Sequence, residues 1–179
     1  MQRWRVPLGF VCAAVFFLLS RPRPLTLALG GAIALPGLAL RAWATGHVRK
    51  NDALAVTGPY AHTRNPLYLG SFLIGVGFTV ASGRFVLGFL FAALFLGIYV
   101  PVMRVESATL AELFGESYER YFKAVPLFLP RFSPYRDRTK HAARFDAALY
   151  KRYHEYQAAM GLVIAWALLA LKAFISNTF

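Results

Sequence analysis

The sequence predicts an all-α polytopic membrane protein with about five transmembrane helices and an amphipathic helix on the cytosolic side. Three observations carry that expectation. Of the 179 residues, 58% are hydrophobic and mean hydropathy is positive, leaving too little polar surface to cover a soluble domain. Five apolar runs, Val6 to Ser20, Leu25 to Leu40, Leu67 to Ala81, Phe85 to Val102 and Ala158 to Ile175, approach with their flanks the span of about 20 residues that a bilayer requires. Threading the chain through those five runs also sorts its charge. Sixteen of the 20 lysines and arginines, all eight acids and all four histidines fall on the side of the amino terminus. The positive-inside rule places that side in the cytosol.

The elements follow in order. Arg3 and Arg5 before the first run imitate a signal peptide, but no small-x-small cleavage pattern precedes Arg21, so the run reads as a membrane helix. The lone Cys12 excludes an internal disulfide and a multi-cysteine metal site. The second run carries Gly30, Gly31, Pro36 and Gly37 and ends at Arg41 and Trp43, a cation and an aromatic suited to the interface. In the third, Ser71 and Gly75 have small-xxx-small spacing, a face for close helix packing. Gly83-Arg84 makes a tight connection to the fourth, so the third and fourth form an antiparallel hairpin.

From Glu106 to Val125 apolar residues recur three or four apart, with Glu116 and Arg120 or Glu119 and Lys123 pairing on the other side. This amphipathic helix is weakened at Gly115 and ended by Pro126. Residues 126 to 143 (PLFLPRFSPYRDRTKHAA) read as a surface loop against headgroups, and a last helix begins near Arg144, with Tyr150, Tyr153 and Tyr156 at the interface. The whole, 1–179, is a single membrane domain: two helices over 1–45, a core over 46–130, and a basic loop with the final helix over 131–179.

Two places carry chemistry. In "TGPYAHTRNPLYLGSF", residues 57 to 72, Gly58-Pro59 forces a turn and Pro66 removes Asn65 from helix geometry, so a compact polar loop precedes the third span. It is either an interfacial cap, with Arg64 snorkelling to phosphates, or the wall of a polar cavity, where irregular backbone at membrane depth is tolerated. The second place is Glu106, an acid at the cytosolic end of a span, costly there unless it has a function. The hairpin brings the start of one span beside the end of the other, so Tyr60 to Tyr68 face Glu106. No Gly-x-Gly-x-x-Gly, phosphate loop or zinc motif is present, and "YHEYQ" lacks the second histidine of a zinc helix. The basic excess is accounted for by orientation and anionic lipid, without nucleic acid.

"GPYAHTRNPLYLG", an acid about forty positions on, and "FGESYERYFKAVP", in that order, resemble the isoprenylcysteine carboxyl methyltransferases and, more distantly, the phospholipid methyltransferases. The likeness runs from about Arg41 to Pro130. It implies an integral membrane enzyme that uses S-adenosylmethionine and no metal. It implies that Asp52, Ala53, Leu54 and Ala55 contact the cofactor largely through backbone, that Tyr60, Asn65, Pro66, Leu67 and Tyr68 line its pocket, and that Glu106 binds it. Arg64 suits the cofactor's carboxylate. Two positions depart from the family: Asn65 stands for its histidine, and Val102 for its substrate-binding arginine, Arg104 being the nearest cation. Asn65 and Arg104 are therefore the expected catalytic positions. The expected partners are a lipophilic or small methyl acceptor, foremost an isoprenylcysteine-like carboxylate, and membrane lipids. An amine or thiol acceptor would need a base, for which His62 or His47 would serve. A noncatalytic scaffold of the same fold is the alternative.

Overall fold

The structure, a computed structural model, describes residues 5–49, 52–136 and 144–178. The end of the predicted basic loop, 137–143, lies outside them. The described residues form α1 (Arg5–Leu19), α2 (Pro24–Thr45), α3 (Pro66–Ala81), α4 (Val86–Ala124), α5 (Ala147–Arg152) and α6 (Tyr156–Thr178). They contain no strand, only an isolated antiparallel bridge between Arg49 and Ala53. The protein is all-α. Three helices, α2, α4 and α6, are long and apolar enough to cross a membrane, and α3 is a shorter apolar helix. The first expected span corresponds to α1, with 15 residues.

The shortness of α3 has a structural meaning. Its 16 residues rise about 24 Å, less than the about 30 Å of hydrocarbon in a bilayer. The irregular loop before it must then occupy part of the remaining depth, and Pro59, Tyr60, Ala61 and Thr63 are buried in protein there, as such backbone requires.

α2 and α3 pack backbone to backbone. A methyl group added at Gly77 would lie 2.6 Å from the carbonyl oxygen of Gly30, and one at Gly37 or Gly70 would lie 2.7 Å from the other's carbonyl oxygen. The close approach therefore uses Gly70 and Gly77, seven residues apart, and not the expected Ser71 and Gly75. Ser71 instead binds Arg41, and Gly75 makes room for the ring of Phe91 on α4. Gly83, at φ +65°, turns the chain into α4, whose contact with α3 is aromatic: Phe72 meets Phe91 and Phe95, and Tyr68 meets Tyr99.

Two expectations for the second half need correction. The amphipathic helix is interrupted at Gly115, whose φ of 48° and ψ of −127° no helix contains. The segment after it turns Tyr118, Tyr121 and Val125 onto Leu54 and Val56, forming a small buried core with Leu110, Phe114 and Tyr135 around it. The last helix is two helices. Asp146 caps α5 by accepting a hydrogen bond from Ala148 N at 2.8 Å, and α6 starts only after a corner at Tyr153, His154 and Glu155.

Candidate active site

The predicted loop forms because its residues leave it little choice. Gly58 has φ +59°, and a side chain there would run into the ring of His47, so only glycine suits. Pro59 lies in a single 3-10 turn, Gly58–Ala61, and Pro66 opens α3 with Asn65 outside helix geometry at φ −127°, ψ 58°. A second strand of irregular chain, 126–135, is laced along it. Arg64 N donates to Pro126 O at 3.0 Å, Arg131 N to His62 O at 2.9 Å and Tyr135 N to Ala61 O at 2.9 Å. Thr63 Oγ1 donates to Phe128 O at 2.9 Å, and Asn65 Nδ2 to Leu127 O at 2.9 Å. From α4, Tyr121 Oη donates to Tyr60 O at 2.7 Å. These bonds satisfy the loop's buried backbone, which otherwise would be costly.

Together these elements enclose a cavity of about 430 Å3, within the about 300–1,000 Å3 usual for small-molecule sites. Ala53, Leu54 and Ala55 line one side, and Tyr60 with Arg64, Asn65, Pro66, Leu67 and Tyr68 line another. Glu106 lines the third, from α4, with Met103 and Ser107 beside it. Asp52, Arg104, His47 and His62 do not line it. Asp52 and Arg104 are exposed. The His62 ring pairs with Arg131 O at 2.8 Å, and the His47 ring with Trp43 O at 2.9 Å.

The charges inside are arranged unequally. Glu106 sits on the open side and accepts from Tyr68 Oη at 2.8 Å. Arg64 lies against Phe122, its guanidinium carbon 4.0 Å from the ring centroid, a favourable cation–π geometry. Its Nε and Nη1 are buried without a hydrogen-bond partner. Burial, and after it the charge of Glu106, pushes the Tyr60 hydroxyl up from its ordinary value. Tyr60 is thus a neutral donor at physiological pH and no base.

The sequence did not reveal Arg41, Tyr118 or Tyr121 as cavity residues. The two tyrosines stand in "FGESYERYFKAVP", where their three-residue spacing was the available signal. Arg41 had none, since its ionic partner is 114 residues away.

With this geometry in view, the relatives can be placed. The phospholipid methyltransferase family matches residues 29–117. The cobalt-zinc-cadmium resistance protein CzcN of Cupriavidus metallidurans is 34% identical over 156 residues, covering 80% of this chain and 70% of CzcN. This chain belongs to the phospholipid methyltransferase family. Within the similarity to that family stand the protein-S-isoprenylcysteine O-methyltransferase of Schizosaccharomyces pombe, 39% identical over 83 residues, 46% of this chain and 35% of the enzyme, and the nickel-cobalt-cadmium resistance protein NccN of Alcaligenes xylosoxydans, 32% identical over 115 residues, 63% and 52%. This chain thus spans 70% of CzcN but only about half of NccN and about a third of the yeast enzyme. No solved structure matches it. The phospholipid methyltransferase match includes α3 and the whole loop from Ala53 to Tyr68, together with Glu106. It stops short of Tyr118, Tyr121 and all of α5 and α6. Family and apolar helices together support an integral membrane methyltransferase.

Proposed function

We propose that this protein transfers a methyl group from S-adenosylmethionine to a lipophilic acceptor, the carboxylate of an isoprenylcysteine-like molecule. The observation that carries the reading is one cavity lined by both Arg64, whose Nε and Nη1 are buried without a hydrogen-bond partner, and Glu106. The donor's α-carboxylate, α-ammonium, sulfonium and adenine need a cation, an acid and aromatic or apolar walls. Arg64, Glu106, and Tyr60 with Tyr68, Tyr118 and Phe114 are of those types and line the one cavity.

S-adenosylmethionine, when bound, supplies an electrophilic methyl group on a sulfonium. The chain's task is then to bind, orient and keep water away, because displacement at a methyl carbon depends on near-attack geometry more than on a side-chain acid. Arg64 holds an anionic group, and Glu106, fixed by Tyr68, holds a cationic one. Asn65 lines the cavity and braces its wall through its bond to Leu127. Arg104 is exposed and does not line the cavity. Among the described lining residues there is no histidine or lysine. A carboxylate acceptor would suit such a site, because it would need no base to take a proton from it. The charge asymmetry supports a cytosolic cavity, which a reporter fused at the carboxyl terminus, expected on the opposite side, would check.

Titration calorimetry with S-adenosylhomocysteine tests the site: saturable binding is expected for the wild type and sharply weaker binding for Glu106→Ala. Absent wild-type binding would sink the reading. A second reading, a noncatalytic membrane component of a metal-resistance system, draws on the printed names of CzcN and NccN. Among the described residues no group of three or more histidines, cysteines and acids is placed to hold a metal ion. Radiolabelled methyl recovered in extracted lipid favours transfer, and its persistent absence favours the second reading.

A further inference from the structure

The corner between α5 and α6 lies beyond the residues that match the family, yet it reaches the cavity wall. Arg41, one of the lining residues, projects from α2. Its Nε and Nη2 donate to the two carboxylate oxygens of Glu155 at 2.6 and 3.1 Å. Its Nη1 donates to Ser71 Oγ at 2.5 Å and, at 3.5 Å, to the carbonyl of Leu67. One guanidinium therefore ties α2, the first turns of α3 and the α5–α6 corner together. A planar, bidentate fork of this kind fixes orientation in a way that a lysine cannot.

Glu155 is only 8% exposed, so neither charge is stable there without the other. The corner is built to present it. His154 adopts φ 54°, a left-handed conformation uncommon outside glycine, and such backbone persists where its surroundings over-determine it. His154 N is bound by Lys151 O at 3.0 Å, and Glu155 N by Tyr150 O at 3.2 Å. Downstream of Arg41 stand Leu67 and Tyr68, both cavity residues, and Tyr68 in turn holds Glu106.

We propose that Glu155 is a positioning residue of the methyl-transfer site: by fixing Arg41 it sets the start of α3, and with it the Leu67 and Tyr68 wall that faces Glu106. The inference rests on the methyl-transfer reading, and its test separates the two. Full-length protein in nanodiscs is titrated with S-adenosylhomocysteine while its thermal unfolding is followed. Binding by the wild type is the condition for the reading itself. Given that, Glu155→Gln is expected to bind about tenfold more weakly, and Arg41→Lys combined with Glu155→Gln no more weakly than the worse single variant, as coupled partners behave. Glu155→Asp, which keeps the charge, is expected to recover part of the loss. A folded Glu155→Gln with wild-type affinity overturns the proposal, whatever its unfolding temperature, since a merely structural pair would move stability alone. Should Glu155→Gln not fold, Ser71→Ala decides. It leaves the ion pair intact and removes the shorter of Arg41's two bonds to α3, so affinity is expected to fall several-fold, and unchanged affinity overturns the proposal.

Discussion

α3 is flanked by two helices in opposite ways. Against α2 its closest points are glycines whose carbonyls meet glycines, with the Cβ atoms of Ala34, Leu73 and Ala81 and the stem of Arg41 packed alongside. Against α4 it sets rings on rings, Phe72 upon Phe91 and Phe95 and Tyr68 upon Tyr99. In lipid, apolar side chains gain little by leaving the solvent, so association depends on packing and on hydrogen bonds. The glycine seam gives the closest packing possible and admits one register. The aromatic side spaces the helices apart, and at its end, between Tyr68 and Glu106, that spacing opens into the cavity. One face of α3 fixes position, and the other makes room.

The contrast can be broken most severely at the seam. Gly77→Leu would drive a side chain into the Gly30 carbonyl, where no flexible neighbour can yield, and a loss of about 3 kcal/mol is expected; size-exclusion chromatography should show little monodisperse protein. Next comes the cavity itself, where Glu106→Gln keeps the shape but removes the charge. The loss expected is about 2 kcal/mol of S-adenosylhomocysteine affinity, about thirtyfold, with the unfolding temperature nearly unchanged. On the aromatic side Phe95→Leu replaces one large apolar side chain by another at a 4% exposed position. About 1 kcal/mol of stability is expected to go, and thermal unfolding should show a folded protein. A Phe95→Leu protein as damaged as Gly77→Leu would mean that the two faces do not differ. The smallest effect belongs beyond Gly115, where Glu116 and Arg120 pair at 2.8 Å on the surface. Arg120→Ala should cost about 0.3 kcal/mol, within error of the wild type in a melt, because Tyr118 and Tyr121 hold that segment.

What could be read from the sequence follows the same division between local and distant causes. The loop at 57–66 was legible because its prolines and glycine dictate backbone locally, and Glu106 because an acid at a span's end has few explanations. The hairpin then brought them together, as Tyr68 and Glu106 do. Small residues in α3 announced close packing, but their spacing could not say which neighbour would arrive on which face, and so Gly70 and Gly77 were missed. At Gly115 helix propensity predicted weakness, whereas the positive φ that glycine alone takes easily produced a complete break. His154 gave no warning, for a left-handed histidine is imposed by its surroundings. The Arg41–Glu155 pair joins residues too far apart for any periodicity to register.

The lacing of the 126–135 segment onto the 58–66 loop has a consequence for how the protein is made. Thr63 waits for a partner 65 residues later in the chain, and Arg41 for one 114 residues later. A chain still emerging from the ribosome can insert α2 and α3 and close their glycine seam early. It has no complete cavity until α4 has followed and its tail has returned with Tyr118 and Tyr121. The order of synthesis thus leaves the loop at 58–66 and the Arg41 side chain without these partners until much later segments have been made.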